Sequence, residues 1–168
     1  ASGAILFYLS ETQHKDLLHI SHIQRIIEED YVWMDRFTIR NLELYYSTAP
    51  NAVTLLDIID KTVSPMGGRL LKRWLSLPLT NIETIQQRQA IVKFFIENEA
   101  VFEKFVFQIK QIADLERLIG KVATGKISPR EVISLKNSLL AISPVKTLAE
   151  QSSNNALKHI AGELDPCL

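Results

Sequence analysis

The stretch from Asp60 to Pro78, D-K-T-V-S-P-M-G-G-R-L-L-K-R-W-L-S-L-P, constrains this chain more than any other. Ser64 is a helix N-cap residue type, and Pro65 falls at the first helical position, where a missing N–H costs nothing. Leu70, Leu71, Trp74 and Leu77 then recur at three- and four-residue spacing and share one helical face. Arg69, Lys72, Arg73 and Ser76 fall mostly on the other. The pattern predicts a helix over 64–77 with a buried apolar side and a basic outer side. Leu70, Leu71 and Trp74 are expected in the core.

The rest of the chain reads as helix after helix. Ala4, Leu6, Phe7 and Leu9 predict a short first helix ending near Gln13. Asp35 can cap a segment carrying Phe37, Ile39, Leu42 and Leu44, and Thr54 can cap Leu55–Ile59. Thr80-Asn81-Ile82-Glu83 has capping-box form ahead of Ile85, Ile91, Val92, Phe94 and Phe95. Asn98 is a cap residue type before Val101, Phe102, Phe105, Val106 and Ile109. Ile112, Leu115, Leu118, Ile119 and Val122 form a further stripe ending near Gly125. Ser128-Pro129-Arg130-Glu131 is a second capping box. It opens a helix through Val132, Leu135, Leu139 and Ile142 that Pro144 is expected to break. Ser152-Ser153-Asn154-Asn155 reads as a bend before a last helix with Leu157, Ile160 and Leu164. Between 20 and 35 the pattern differs: Ile20, His22, Gln24 and Ile26 alternate, and Tyr31-Val32-Trp33-Met34 is dense in strand-favouring types. The expected fold class is therefore all-α and multihelical, a single domain over 1–168 with a small two-stranded β excursion near 20–35.

Composition bounds the function classes. With 168 residues, 46% hydrophobic and 23% charged, the chain can bury roughly 70% of its unfolded surface and needs no staples. Lys plus Arg equals Asp plus Glu at 19 each, so it lacks the basic excess of an autonomous nucleic-acid binder. No apolar run approaches the roughly 18 residues of a membrane span. The single cysteine, Cys167, fits a reducing cytoplasm. The first residue is not Met, and both ends run close to helical pattern, the reading expected of a domain cut from a longer protein.

Site chemistry is sparse. His14, His19 and His22 are irregularly spaced, and solvated histidines explain them better than a metal site. Asp57 with Asp60, and Glu28-Glu29-Asp30, are more economically exposed carboxylates than a catalytic pair. Gly67-Gly68 stands in neither G-x-x-x-x-G-K-[ST] nor G-x-G-x-x-G, and close helix packing is the plainer role for it. Basic residues cluster at Arg69, Lys72 and Arg73 and again at Lys121, Lys126 and Arg130. The first cluster holds the candidate DNA-backbone contacts, against a plainer reading in which Asp57, Asp60 and Asp114 pair with them.

Six ordered stretches resemble the core domain of the MutS family of DNA mismatch-repair ATPases. The opening A-S-G-A-I-L-F-Y-L-S-E-T-Q is similar to that family's A-x-G-A-L-L-x-Y-L-x-x-T-Q. Met34-Asp35, Thr38 and Arg40 to Leu44 resemble M-D-x-x-T-R-R-N-L-E-L, with Ile39 in place of the first paired arginine. Thr62-Val63 and Met66 to Leu79 resemble T-V followed by M-G-x-R-L-L-x-R-W-L-x-x-P-L. Arg88-Gln89-Ala90, Asp114 to Leu118, and Pro129-Arg130-Glu131 match R-x-x-A-V, D-L-E-R-I-L and P-R-D-L in turn, although Gly125-Lys126-Ile127 departs from the types usual before the last. The resemblance covers at least residues 1–140.

It implies the part of a core, or lever, domain that precedes the clamp insertion, and a mechanical role coupling nucleotide state to DNA grip. No catalytic residue, cofactor or metal is then expected in this chain. ATP and Mg belong to the parent, which is implied to be cytoplasmic and dimeric. Partners would be the parent's other domains and, through them, mismatched double-stranded DNA, with no membrane. An independent helical interaction scaffold unrelated to DNA repair is the alternative that shares this composition. On the half-core reading, an apolar surface larger than usual should lie open.

Overall fold

Most helix starts expected from capping residues are used as such. The computed structural model describes residues 2–12, 30–47, 49 and 52–166. Among these the helices are α1 (Ser2–Glu11), α2 (Arg36–Asn41), α3 (Leu55–Ile59), α4 (Pro65–Ser76), α5 (Ile82–Glu97), α6 (Glu99–Ile109), α7 (Leu115–Ala123), α8 (Pro129–Glu150) and α9 (Asn155–Glu163). Asp35 accepts from the Thr38 amide at 2.7 Å, and Thr54 and Ser128 each close a full capping box with Asp57 and Glu131. Ser64 accepts from the Gly67 amide. Two starts differ from expectation. Asn81, not Thr80, caps α5 by accepting from the Thr84 amide. Asn98 stands before α6 but turns its Nδ2 back onto the Phe94 carbonyl, finishing α5 instead.

The two-stranded β excursion over 20–35 is not seen: no strand occurs among the described residues, and residues 20–29 lie outside them. What the strand-favouring types of Tyr31–Met34 do is run extended. Tyr31 forms one isolated antiparallel bridge with Leu79, the Val32 amide donating to the Pro78 carbonyl at 2.7 Å and the Thr80 amide to the Asp30 carbonyl at 3.1 Å. Pro78 has no N–H to continue a ladder, and Asp35 starts a helix four residues after the bridge. β propensity here reports an extended segment whose partner is distant in sequence.

Pro144 does not end its helix. Helix α8 runs unbroken from Pro129 to Glu150 with Pro144 inside it. The lost bond costs about 3 kcal/mol in an isolated helix, but packing on both sides offsets it. Ala141 and Ala149 are buried, and Val145 and Leu148 pack on the main core.

That core is built by α5, α6, α8 and α9. Phe105, Ala149, Leu157 and Ala161 are buried together, with Ile91, Phe94, Phe95, Val101, Val145 and Leu148 against them. Phe95 meets Phe105 edge-on at 5.2 Å between ring centroids and Phe102 at 5.6 Å, the geometry favoured by the ring quadrupoles. Ala149 and Ala161 are small enough for α8 and α9 to approach closely. Ser138 is almost fully buried, yet its hydroxyl donates to the Ser134 carbonyl and accepts from the Ala113 amide, so nothing polar is orphaned there. Helix α7 ends in a Schellman motif: Gly125 adopts φ +65°, and the Gly125 and Lys126 amides donate to the Val122 and Lys121 carbonyls.

Helix α4 is not part of this core, contrary to the expectation for its apolar stripe. It contains no buried residue; Leu70 is 45% exposed and Trp74 40%. Amphipathic spacing identified a face that can be covered, but it did not say by what. The neighbouring glycines also act differently from expectation. A Cβ on Gly67 would lie 3.1 Å from Ser64 Oγ, and one on Gly68 3.3 Å from Thr62 Oγ1. They let the Asp60–Ser64 turn fold over the start of α4, and do not serve packing between helices.

Candidate functional site: the polar face of the fourth helix

Ser64 and Pro65 fix where α4 begins, and the 3.6-residue period then aims Arg69 away from the apolar stripe. Arg69 reaches the first turn of α7. Its two terminal nitrogens grip both oxygens of Asp114, at 2.9 and 2.7 Å, while Nε donates to Glu116 at 2.8 Å and a terminal nitrogen also contacts that carboxylate. This fork suits a guanidinium and would be lost with lysine. Asp114 is at the same time the N-cap of α7, accepting from the Arg117 amide. One carboxylate therefore starts α7 and ties it to α4. Hydrogen bonding to Arg69 holds the Asp114 carboxyl below its ordinary range, and the same pairing raises the Arg69 guanidinium further above its own.

The connection continues. Lys121, in the last turn of α7, pairs with Glu131 at the start of α8. Glu131 also accepts from the Ser128 amide in its capping box, and these contacts, the Lys121 hydrogen bond first, pull its carboxyl from 4.5 to about 2. Ion pairs thus thread α4 to α7 and α7 to α8. Of the three carboxylates expected as partners for the basic cluster, only Asp114 takes that part. Asp57 and Asp60 turn back on their own loops, bonding Thr54 and Thr62, and both are held low by those hydroxyls first.

The other members of the cluster separate. The Lys72 ammonium sits 4.7 Å above the Tyr45 ring. Arg73 is exposed in the last turn of α4, where a cation complements the helix dipole. Lys126 and Arg130 lie on the exposed surface. A contact absent from sequence reasoning is Arg88, whose guanidinium stacks 3.7 Å over the Trp74 ring. Spacing within one helix could not find it, because the two residues meet from α4 and α5. An open apolar cleft of about 490 Å³, lined by Val92, Phe95, Ile96, Glu99 and Phe102, lies where α5 turns into α6.

No group of three metal-ligating side chains occurs among the described residues; His14, His19, His22 and Cys167 lie outside them, as do Glu28 and Glu29. Gly67 and Gly68, packed under the preceding turn, form no phosphate cradle. No helix among the described residues is long and apolar enough to cross a membrane.

These features define a class: a domain all-helical over its described residues, whose polar side chains join its helices. The comparisons with known proteins narrow it. Residues 37–166 match the family model described as MutS domain III. The chain is 65% identical over 167 residues to the DNA mismatch repair protein MutS of Christiangramia forsetii, covering 99% of this chain and 19% of that protein. It is 63% identical to the MutS of Flavobacterium psychrophilum, with the same coverage, and 46% identical to that of Cytophaga hutchinsonii, covering 99% and 20%. The chain belongs to the MutS family, its residues 37–166 matching domain III. It spans about a fifth of the length of the curated relatives it matches.

Proposed function

We propose that this chain is a connector, or lever, within a DNA mismatch-repair protein. It would transmit the nucleotide state of an ATPase domain elsewhere in the parent to the parent's grip on mismatched DNA. Membership of the MutS domain III family carries this reading and tells against a scaffold unrelated to repair. The chain contributes no catalytic group on this view; ATP and Mg act in the parent, which is cytoplasmic and dimeric. Support comes from how the helices are joined. A lever needs elements that move as one piece, and the Arg69–Asp114/Glu116 and Lys121–Glu131 pairs fasten α4, α7 and α8 end to face.

The test uses the full-length parent carrying Arg69→Gln. Mismatch binding without nucleotide, and ATP hydrolysis without DNA, should stay near wild type because neither site is touched. ATP-triggered release from a mismatched duplex, followed by stopped-flow fluorescence, should slow about fivefold or more, the low end of typical coupling energies. Release at the wild-type rate would remove the lever role from this joint.

A further inference from the structure

Helix α2 and the turn after it build a basic pocket that none of the roles above uses. Arg36 and Arg40 are one helical turn apart and face the same side. The chain then reverses through Glu43, at φ 48°, with the Glu43 and Leu44 amides donating to the Arg40 and Ile39 carbonyls. This reversal returns Tyr46 to the same side. Arg36, Phe37, Arg40 and Tyr46 line a cavity of about 230 Å³. The Arg40 guanidinium lies 5.6 Å from the Phe37 ring centroid, which limits its conformations while its N–H groups stay available.

Among the described residues neither arginine has a carboxylate partner. The two nearest in sequence are committed elsewhere: Asp35 caps α2 through the Thr38 amide, and Glu43 accepts from Ser47 Oγ. Among the described residues the pocket lining contains two guanidinium groups, one phenol and no acid. We propose that this pocket binds a phosphate group. A planar carboxylate is satisfied by a single guanidinium fork, as Asp114 is by Arg69. Donors from three separate side chains, two arginines and a tyrosine lining one cavity, suit a tetrahedral oxyanion with more acceptor sites. The volume fits one such group with a few waters, each needing about 30 Å³. The phosphate can belong to a free nucleotide or to a nucleic-acid backbone, and this inference stands independently of the lever role.

The experiment is an NMR titration of the 168-residue chain, following the arginine Nε–H resonances. Inorganic phosphate should shift Arg36 and Arg40 saturably, and acetate at equal ionic strength should not. Arg36→Gln with Arg40→Gln should weaken phosphate binding about tenfold or more, the expected loss of charge-assisted hydrogen bonds. Tyr46→Phe should weaken it less, and Lys158→Gln, on the distant exposed face of α9, should leave it unchanged. Both arginines are exposed, so the double variant should keep its melting curve. Adenosine monophosphate and a short duplex, compared at equal phosphate concentration, then distinguish the sources: whichever binds more tightly identifies the natural one. Equal shifts with acetate, or unchanged phosphate binding in the double variant, would overturn the site.

Discussion

Trp74 illustrates what a single residue's neighbours decide. Its place in an apolar stripe suggested deep burial, for which removal of a large aromatic costs about 3–5 kcal/mol. The structure leaves it 40% exposed, with one face against the Arg88 guanidinium. Trp74→Ala should then cost only about 1–2 kcal/mol, from partial burial plus a solvent-facing cation–π contact. Urea titration measures this directly, and Arg88→Gln should recover less than half of it. A loss above about 3 kcal/mol would mean that the chain already packs Trp74 as core. Residue-scale chemistry was otherwise legible where it acts locally. Asp35, Thr54, Ser64 and Ser128 announce helix starts because their short polar side chains reach only a few residues away. Arg88 on Trp74 and Lys72 on Tyr45 were not legible, because nothing local fixes which ring a long cation finds.

At the scale of elements, the same division explains which expectations held. Helical period and caps gave the order of the helices. The β excursion is absent among the described residues because strand-favouring types set no partner: Tyr31 pairs only where α4 delivers Pro78 and Leu79. Pro144 stays inside α8 for a related reason: tertiary packing of Ala141, Val145 and Ala149 outweighs a local penalty. Joints between elements carry a pH signature. Glu131 is held near 2 in the folded chain, below its ordinary 4.5, so the unfolded chain takes up the proton first as pH falls. Its stabilisation is complete above about 4.5 and is lost between there and about 2. Asp35, Asp57, Asp60 and Asp114, all lowered, act in the same direction. Urea midpoints measured from pH 6 to 2 should therefore fall. Glu131→Gln keeps an acceptor for the capping box but loses the Lys121 ion pair, so its profile should be flatter below pH 4.5. Parallel profiles for the two proteins would show that the α7–α8 pair contributes nothing to folding.

On the scale of the whole molecule, surface area is the informative quantity. The chain exposes 12719 Å², whereas mass scaling gives about 8,400 Å² for a folded monomer of this size. Among the described residues many large apolar side chains stand open: Phe7 and Tyr8 on α1, Trp33, Leu70 and Trp74 around α4, and Ile96 and Phe107 on the outer faces of α5 and α6. Monomers rarely leave contiguous apolar patches beyond a few hundred Å² uncovered. Zero net charge adds no repulsion to keep copies apart. The isolated chain should therefore self-associate, its weight-average mass in sedimentation equilibrium rising above 19.1 kDa with concentration. A lysine placed at Ile96, which is 77% exposed beside the α5–α6 cleft, should weaken the association while leaving the unfolding midpoint nearly unchanged. High salt should strengthen association that is apolar in origin and weaken it if ion pairs drive it. A constant monomer mass up to high concentration, with no binding of a hydrophobic dye to the native state, would mean that these side chains are covered within the chain itself, and the case for missing neighbours would lose its physical basis.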